Sequence, residues 1–138
     1  MADKVNFELV SPERLLLSED ADMVVVPGAE GDFGVLAGHS PLISTVRPGA
    51  ITVFQDNSVS ESIFVAGGFA EVTAERCTVL AEEAERIGDI DRDAVEKQLA
   101  KLRDDLSTAD SEAARTRLEK RIAVAAAKLI ALDAPAYQ

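Results

Sequence analysis

The sequence contains no tryptophan, one cysteine and one histidine among 138 residues, and aromatics make up only 4%. A chain so poor in aromatic rings has no stacking platform for single-stranded nucleic acid. With His39 as the only histidine, a multi-histidine metal site is excluded. With Cys77 as the only cysteine, no internal disulfide can form, and a reducing compartment is the simpler reading. No run approaches the roughly 18 apolar residues that a membrane span needs. Met1 to Leu9 is too polar for a signal peptide. Positive charge is scarce as well. Fourteen Lys and Arg face 25 Asp and Glu, a net charge of −11 that disfavours nucleic acid and anionic lipid as partners.

What is present suffices for a folded core. Hydrophobic residues reach 47% and charged residues 28%, which argues against wholesale disorder. The length suits one domain, or one small domain with an appendage. Charge is unevenly placed. Residues 1–86 carry 15 acidic and 5 basic residues, a net of −10; residues 87–138 carry 10 and 9, a net of −1. The chain therefore divides into two chemically distinct parts.

Residues 1–86 read as β structure. Val5, Phe7 and Leu9 alternate with Asn6 and Glu8, the period of a strand with one buried face. Met23-Val24-Val25-Val26 ends at Pro27-Gly28, and Ile51-Thr52-Val53-Phe54 lies between Pro48-Gly49 and Asp56-Asn57. Ile63-Phe64-Val65 runs into Gly67-Gly68, and Cys77-Thr78-Val79-Leu80 follows. Short strands closed by frequent turn signals predict a sandwich or barrel.

Residues 87–138 read as two helices. Asp91 is a good N-cap, and Ile90 with Val95 forms a hydrophobic staple around it. Val95, Leu99, Leu102 and Leu106 make one apolar stripe; Ala114, Leu118, Ile122, Ala125, Leu129 and Leu132 make another. Residues 107–111 separate them, and Ala134-Pro135 ends the second. The spacing predicts i,i+4 ion pairs Asp93–Lys97 and Lys101–Asp105. Two facing stripes joined by a short loop predict an antiparallel hairpin, and Gly88 marks its joint with the β part. The second helix carries Arg115, Arg117, Lys120, Arg121 and Lys128.

No catalytic set emerges. Cys77 lies in an alternating strand, where a free cysteine packs as a small hydrophobe rather than pairing with His39. Gly38-His39-Ser40-Pro41-Leu42 has leucine where a nucleophile elbow needs glycine. The glycine-rich run from Gly28 to Gly34 lacks a Lys-Ser/Thr pair, and its carboxylates Glu30 and Asp32 would repel phosphate; it reads as a tight turn with an acidic tip. The residues alone thus give an acidic β domain, a helical hairpin and a protein-interaction role. A small-ligand-binding β domain with a helical lid is the rival from another class.

Residues 27–49, Pro-Gly-Ala-Glu-Gly-Asp-Phe-Gly-Val-Leu-Ala-Gly-His-Ser-Pro-Leu-Ile-Ser-Thr-Val-Arg-Pro-Gly, closely resemble the epsilon-subunit family of F-type ATP synthases. Val10-Ser11-Pro12-Glu13, Gly67-Gly68-Phe69-Ala70-Glu71-Val72 and Ile90-Asp91 extend that resemblance over about residues 5–132. It implies a ten-stranded β-sandwich (residues 1–86) followed by an antiparallel two-helix hairpin (residues 87–138). It also implies a non-catalytic rotor subunit of the central stalk that couples proton-driven c-ring rotation to ATP synthesis. The implied partners are the gamma subunit and the c-ring, with alpha and beta reached if the hairpin extends to restrain hydrolysis. The implied location is peripheral, on the cytoplasmic face of the energy-transducing membrane. By resemblance Glu30 and Asp32 face the c-ring, and Ser11, His39 and Ser44 lie toward gamma. His39 reads equally as a turn stabiliser, and Asp32 as a solvated turn residue. The nucleotide motif of ATP-binding relatives is degraded: Ile90 and Asp91 stand, but Ala94 replaces its arginine and Val95 its alanine. That loss of fixed positive charge implies no bound cofactor and leaves Asp91 as a helix cap.

Overall fold

The computed structural model describes residues 3–134. Ten strands form one sheet: β1 (Val5–Val10), β2 (Leu15–Ala21), β3 (Met23–Gly28), β4 (Gly31–Val35), β5 (Leu42–Val46), β6 (Gly49–Gln55), β7 (Ser58–Val65), β8 (Gly68–Val72), β9 (Arg76–Ala81) and β10 (Ala84–Arg86). Their order is β10-β7-β6-β3-β5-β8-β9-β1-β2, with β4 on the other side of β3. Only one residue pair, Gly28 with Val46, joins β3 to β5. At that weak seam the sheet folds over into two layers. One holds β4-β3-β6-β7-β10, the other β5-β8-β9-β1-β2. All pairings are antiparallel except β1 with β9.

Period-two alternation explains the core. Val5, Phe7 and Leu9 point inward and meet Val24 and Val26, Ile51 and Val53, Ile63 and Val65, and Val79, all buried. Cys77 joins them, and burial pushes its thiol up to about 12, so it is a packing group and not a nucleophile. The turns follow local chemistry. Asp56 and Asn57 take φ of 51° and 65°, the left-handed pair of a tight hairpin between β6 and β7. Gly68 has φ +145°, and a Cβ there would lie 1.9 Å from the Leu80 carbonyl oxygen, so only glycine fits.

After β10 a 3-10 turn at Ile87–Asp89 leads to helix α1 (Arg92–Ser107), and α2 (Glu112–Asp133) returns. Gly88 lies in that turn with open space around it and no left-handed φ, so the joint does not depend on glycine geometry. Asp91 caps α1, its side chain accepting from the Ala94 amide at 3.2 Å, and Ser111 caps α2 by accepting from the Ala114 amide at 3.1 Å. Arg92 and Asp133 pair at 2.5 Å, which brings the start of one helix to the end of the other, as an antiparallel hairpin requires. The i,i+4 pairs expected at Asp93–Lys97 and Lys101–Asp105 are absent from the ion pairs formed among the described residues. These side chains are exposed, where ordering two long chains for one ion pair gains little. Pro135, expected to stop the second helix, lies outside the described residues; α2 ends at Asp133.

The stripes do more than face each other. Ile90, Val95, Leu99, Leu102 and Ala125 form one buried cluster with Phe64 and Ala66 from the sandwich. Phe64 stands between Ile63 and Val65 on β7, so alternation turns it outward, onto the hairpin. The hairpin therefore lies on the outer face of the β7 layer.

Candidate docking surfaces

The acidic turn is built by β3 and β4. Gly28 pairs with Gly31, and Ala29 and Glu30 form the tip, with Gly31 at φ +138°. A Cβ on Gly28 would meet the Gly31 carbonyl oxygen at 2.7 Å, so the turn closes only with glycine. Arg47 braces it from the neighbouring strand end. One guanidinium nitrogen donates to the Gly28 carbonyl at 2.6 Å and another pairs with the Asp32 carboxylate at 2.6 Å. Asp32 is thus held by a cation of its own chain, whereas Glu30 is exposed at the tip.

Ser11, His39 and Ser44 do not converge. Ser11 follows β1 and closes the turn to β2: its hydroxyl donates to the Arg14 carbonyl at 3.2 Å and accepts from the Arg14 amide at 3.3 Å. His39 lies at the opposite end of that layer, on a loop whose Gly38 amide donates to Ala74 at 2.7 Å. Its Nδ1–H donates to the Ser40 carbonyl at 2.6 Å, the turn-stabilising contact anticipated for it. Ser44 stands between them on β5, half-buried, with its hydroxyl donating to Thr45 at 3.1 Å. The three therefore border one layer at its two ends and its edge.

Between them lies a feature that sequence reasoning missed. Cross-strand pairing aligns Thr45 with Phe69, Phe69 with Leu80, Leu80 with Val10, and Val10 with Leu15. Phe69, Leu80 and Leu15 are each more than half exposed, and nearby Ile43 is 72% exposed. This apolar row runs across the outer face of the β5-β8-β9-β1-β2 layer, opposite the hairpin. The signal was in the alternation. Ala70 and Val72 are buried, so Phe69 between the glycine and Ala70 had to point outward, where a solvated strand would carry a polar residue.

The hairpin side is polar at its margin. Lys120 pairs with Glu82 at 3.6 Å, and Lys128 pairs with Glu83 at 3.6 Å and Glu85 at 3.4 Å. Part of the basic face of α2 is thus engaged by the sandwich. Arg117, Lys120 and Arg121 line an open cleft that Glu82 and Glu83 also line. Ile90 is buried, and Asp91 spends its carboxylate on the cap.

A sandwich that carries a docked helix pair on one outer face and an uncovered apolar row on the other is built as a docking subunit. Comparison with known proteins makes the class specific. Residues 4–87 match the family described as "ATP synthase, Delta/Epsilon chain, beta-sandwich domain", and residues 91–137 match the family of C-terminal domains of the ATP synthase epsilon chain. The chain is 58% identical over 134 residues to the ATP synthase epsilon chain of Rhodospirillum centenum, covering 94% of this chain and 92% of that one. It is 52% identical over 131 residues to that of Rhodospirillum rubrum, covering 95% and 98%. Among solved structures, a chain of the Euglena gracilis mitochondrial ATP synthase (OSCP/F1/c-ring) shares the fold with a TM-score of 0.83 at 24% identity, covering 96% of this chain and 83% of that one. The chain belongs to the ATP synthase epsilon-chain family.

Proposed function

We propose that this chain is a non-catalytic rotor subunit of an F-type ATP synthase. Residues 1–86 form the docking domain and residues 87–138 a regulatory hairpin. The exposed row of Phe69, Leu80, Leu15 and Ile43 carries the reading, because an apolar strip of this kind on a family member calls for a permanent protein cover. The gamma subunit is that cover, with Ser11, His39 and Ser44 at its border. The acidic turn meets the polar loops of the c-ring, Glu30 supplying the exposed charge and Arg47-braced Asp32 the shape. Charge pairing there sets register more than affinity. Rotation of the ring is thereby passed to the catalytic head. When the hairpin leaves the sandwich, its basic helix reaches the alpha and beta subunits and restrains hydrolysis. The subunit sits peripherally on the cytoplasmic face of the energy-transducing membrane; no described helix is long and apolar enough to cross one. Nucleotide binding is weak, since Ala94 offers no cation where ATP-binding relatives carry an arginine.

Co-purification tests this. Tagged protein should bring down gamma, and Phe69→Asp with Leu80→Asp should abolish capture while the isolated protein stays folded. Undiminished capture by that double variant would remove the apolar row from the interface.

A further inference from the structure

Lys128 differs from every other ion-paired cation among the described residues. Its side chain is only 13% exposed, whereas the others range from 40% to 69%. It lies on α2 in an alanine-rich stretch and reaches the sandwich. Its Nζ is 3.4 Å from Glu85 and 3.6 Å from Glu83, and sits 5.7 Å from the centre of the Phe64 ring. These partners lie 43 to 64 residues earlier in the sequence, all on the β-sandwich side. The site thus combines an aromatic face, two exposed carboxylates and a lysine whose side chain is mostly covered, at the join of the two parts. Lys120 and Glu82 form a second, exposed pair one face along, of little weight by itself.

We propose that Lys128 is the electrostatic anchor that holds the hairpin on the sandwich, so that docking is gated by charge at Glu83 and Glu85. An ammonium at the end of a mostly covered side chain gives up part of its hydration and needs partners in exchange. When the hairpin lifts, Lys128 recovers water; while it is down, the two carboxylates and the ring replace that water. Docking is therefore conditional on the acidic strip being charged and unscreened. The rival explanation is packing alone, with the lysine stem covering Phe64 and the ammonium irrelevant. The two differ in what the carboxylates do.

This inference concerns the isolated full-length protein and does not depend on the rotor reading. Ala125, 2% exposed on the inner face of α2, serves as a reporter when replaced as Ala125→Cys. Its thiol-labelling rate reads the opening of the hairpin, while Cys77, fully buried in the sandwich, stays silent. Glu83→Gln with Glu85→Gln strands the ammonium and should speed labelling about tenfold. Adding Lys128→Met, which keeps the stem and removes the charge, should cancel most of that gain. Raising NaCl from 0.05 to 1 M should speed labelling severalfold in the parent but not in Lys128→Met. If the glutamine pair accelerates labelling equally with and without Lys128, or not at all, the anchor is overturned. Salt acting equally on the parent and on Lys128→Met would overturn it too. Circular dichroism of each variant shows whether the sandwich stays folded, and the salt comparison between the parent and Lys128→Met stands even if the glutamine pair fails to fold.

Discussion

Phe64→Ala separates the two parts of the molecule. Phe64 is fully buried, yet its burial comes from the hairpin, because its neighbours Ile63 and Val65 take the inward positions. In the full-length protein the substitution removes a buried aromatic and costs about 3–5 kcal/mol, the usual range for Phe→Ala in a core. That loss cannot exceed the docking free energy, since the hairpin can detach instead of leaving a cavity. In a protein shortened to residues 1–89, the cover is gone and Phe64 stands in solvent. There the same substitution should cost about 1 kcal/mol or less, the span of strand propensity. Urea unfolding of four proteins, full and shortened, each with Phe64 or alanine, gives both numbers. Equal costs in the two lengths would show that Phe64 belongs to the sandwich core and refute the reasoning. Failure of the shortened protein to unfold cooperatively would refute the independence of the sandwich.

Other outcomes follow from single contacts. Gly68→Ala drives a Cβ into the Leu80 carbonyl and should cost about 4 kcal/mol or more in thermal unfolding, whereas a cost under about 1 kcal/mol would contradict the strained turn. Glu19 has a buried carboxylate oxygen without a partner, and desolvation first, then Glu61, raises its pKa against the opposing pull of Arg86. A carboxyl raised on folding favours the native state below its unfolded pKa and loses that stabilisation as pH rises through the folded value. Glu19→Gln should therefore raise the melting temperature at pH 7 and leave it unchanged near pH 3; no gain at pH 7 would negate this. The isolated protein should bind ATP only weakly, and a micromolar dissociation constant by calorimetric titration would restore nucleotide sensing despite Ala94.

Most of the fold was legible because its signals are local. Strict alternation in Val5, Phe7 and Leu9, the Asp56-Asn57 turn and the Asp91 cap each depend on a few adjacent residues, and each formed as read. The apolar stripes were legible for the same reason, since helical spacing alone defines them. What remained hidden depends on pairing between distant segments. Nothing near Phe69 says that Leu80, Val10 and Leu15 extend its row; register across four strands does. Likewise, Asp32 looked like a free tip charge because Arg47 reaches it only once β3 and β5 meet. Helical spacing also offered ion pairs at Asp93–Lys97 and Lys101–Asp105, but the cations that matter on the hairpin pair with the sandwich.

The charge asymmetry of the sequence acquires a physical meaning from this arrangement. The first 86 residues hold most of the surplus negative charge, and three of those carboxylates, Glu82, Glu83 and Glu85, stand in the short stretch just before the hairpin begins. The hairpin is nearly neutral overall, yet Lys120 and Lys128 turn its second helix's cations onto that stretch. Attraction therefore acts at the joint between the parts, beside the apolar contact that Phe64 and Ala66 make with the hairpin. The sandwich core is large and purely apolar, insensitive to salt. The hairpin interface combines its apolar cluster with ion pairs that salt weakens. A molecule so divided can release its helices without loosening the sandwich that carries them.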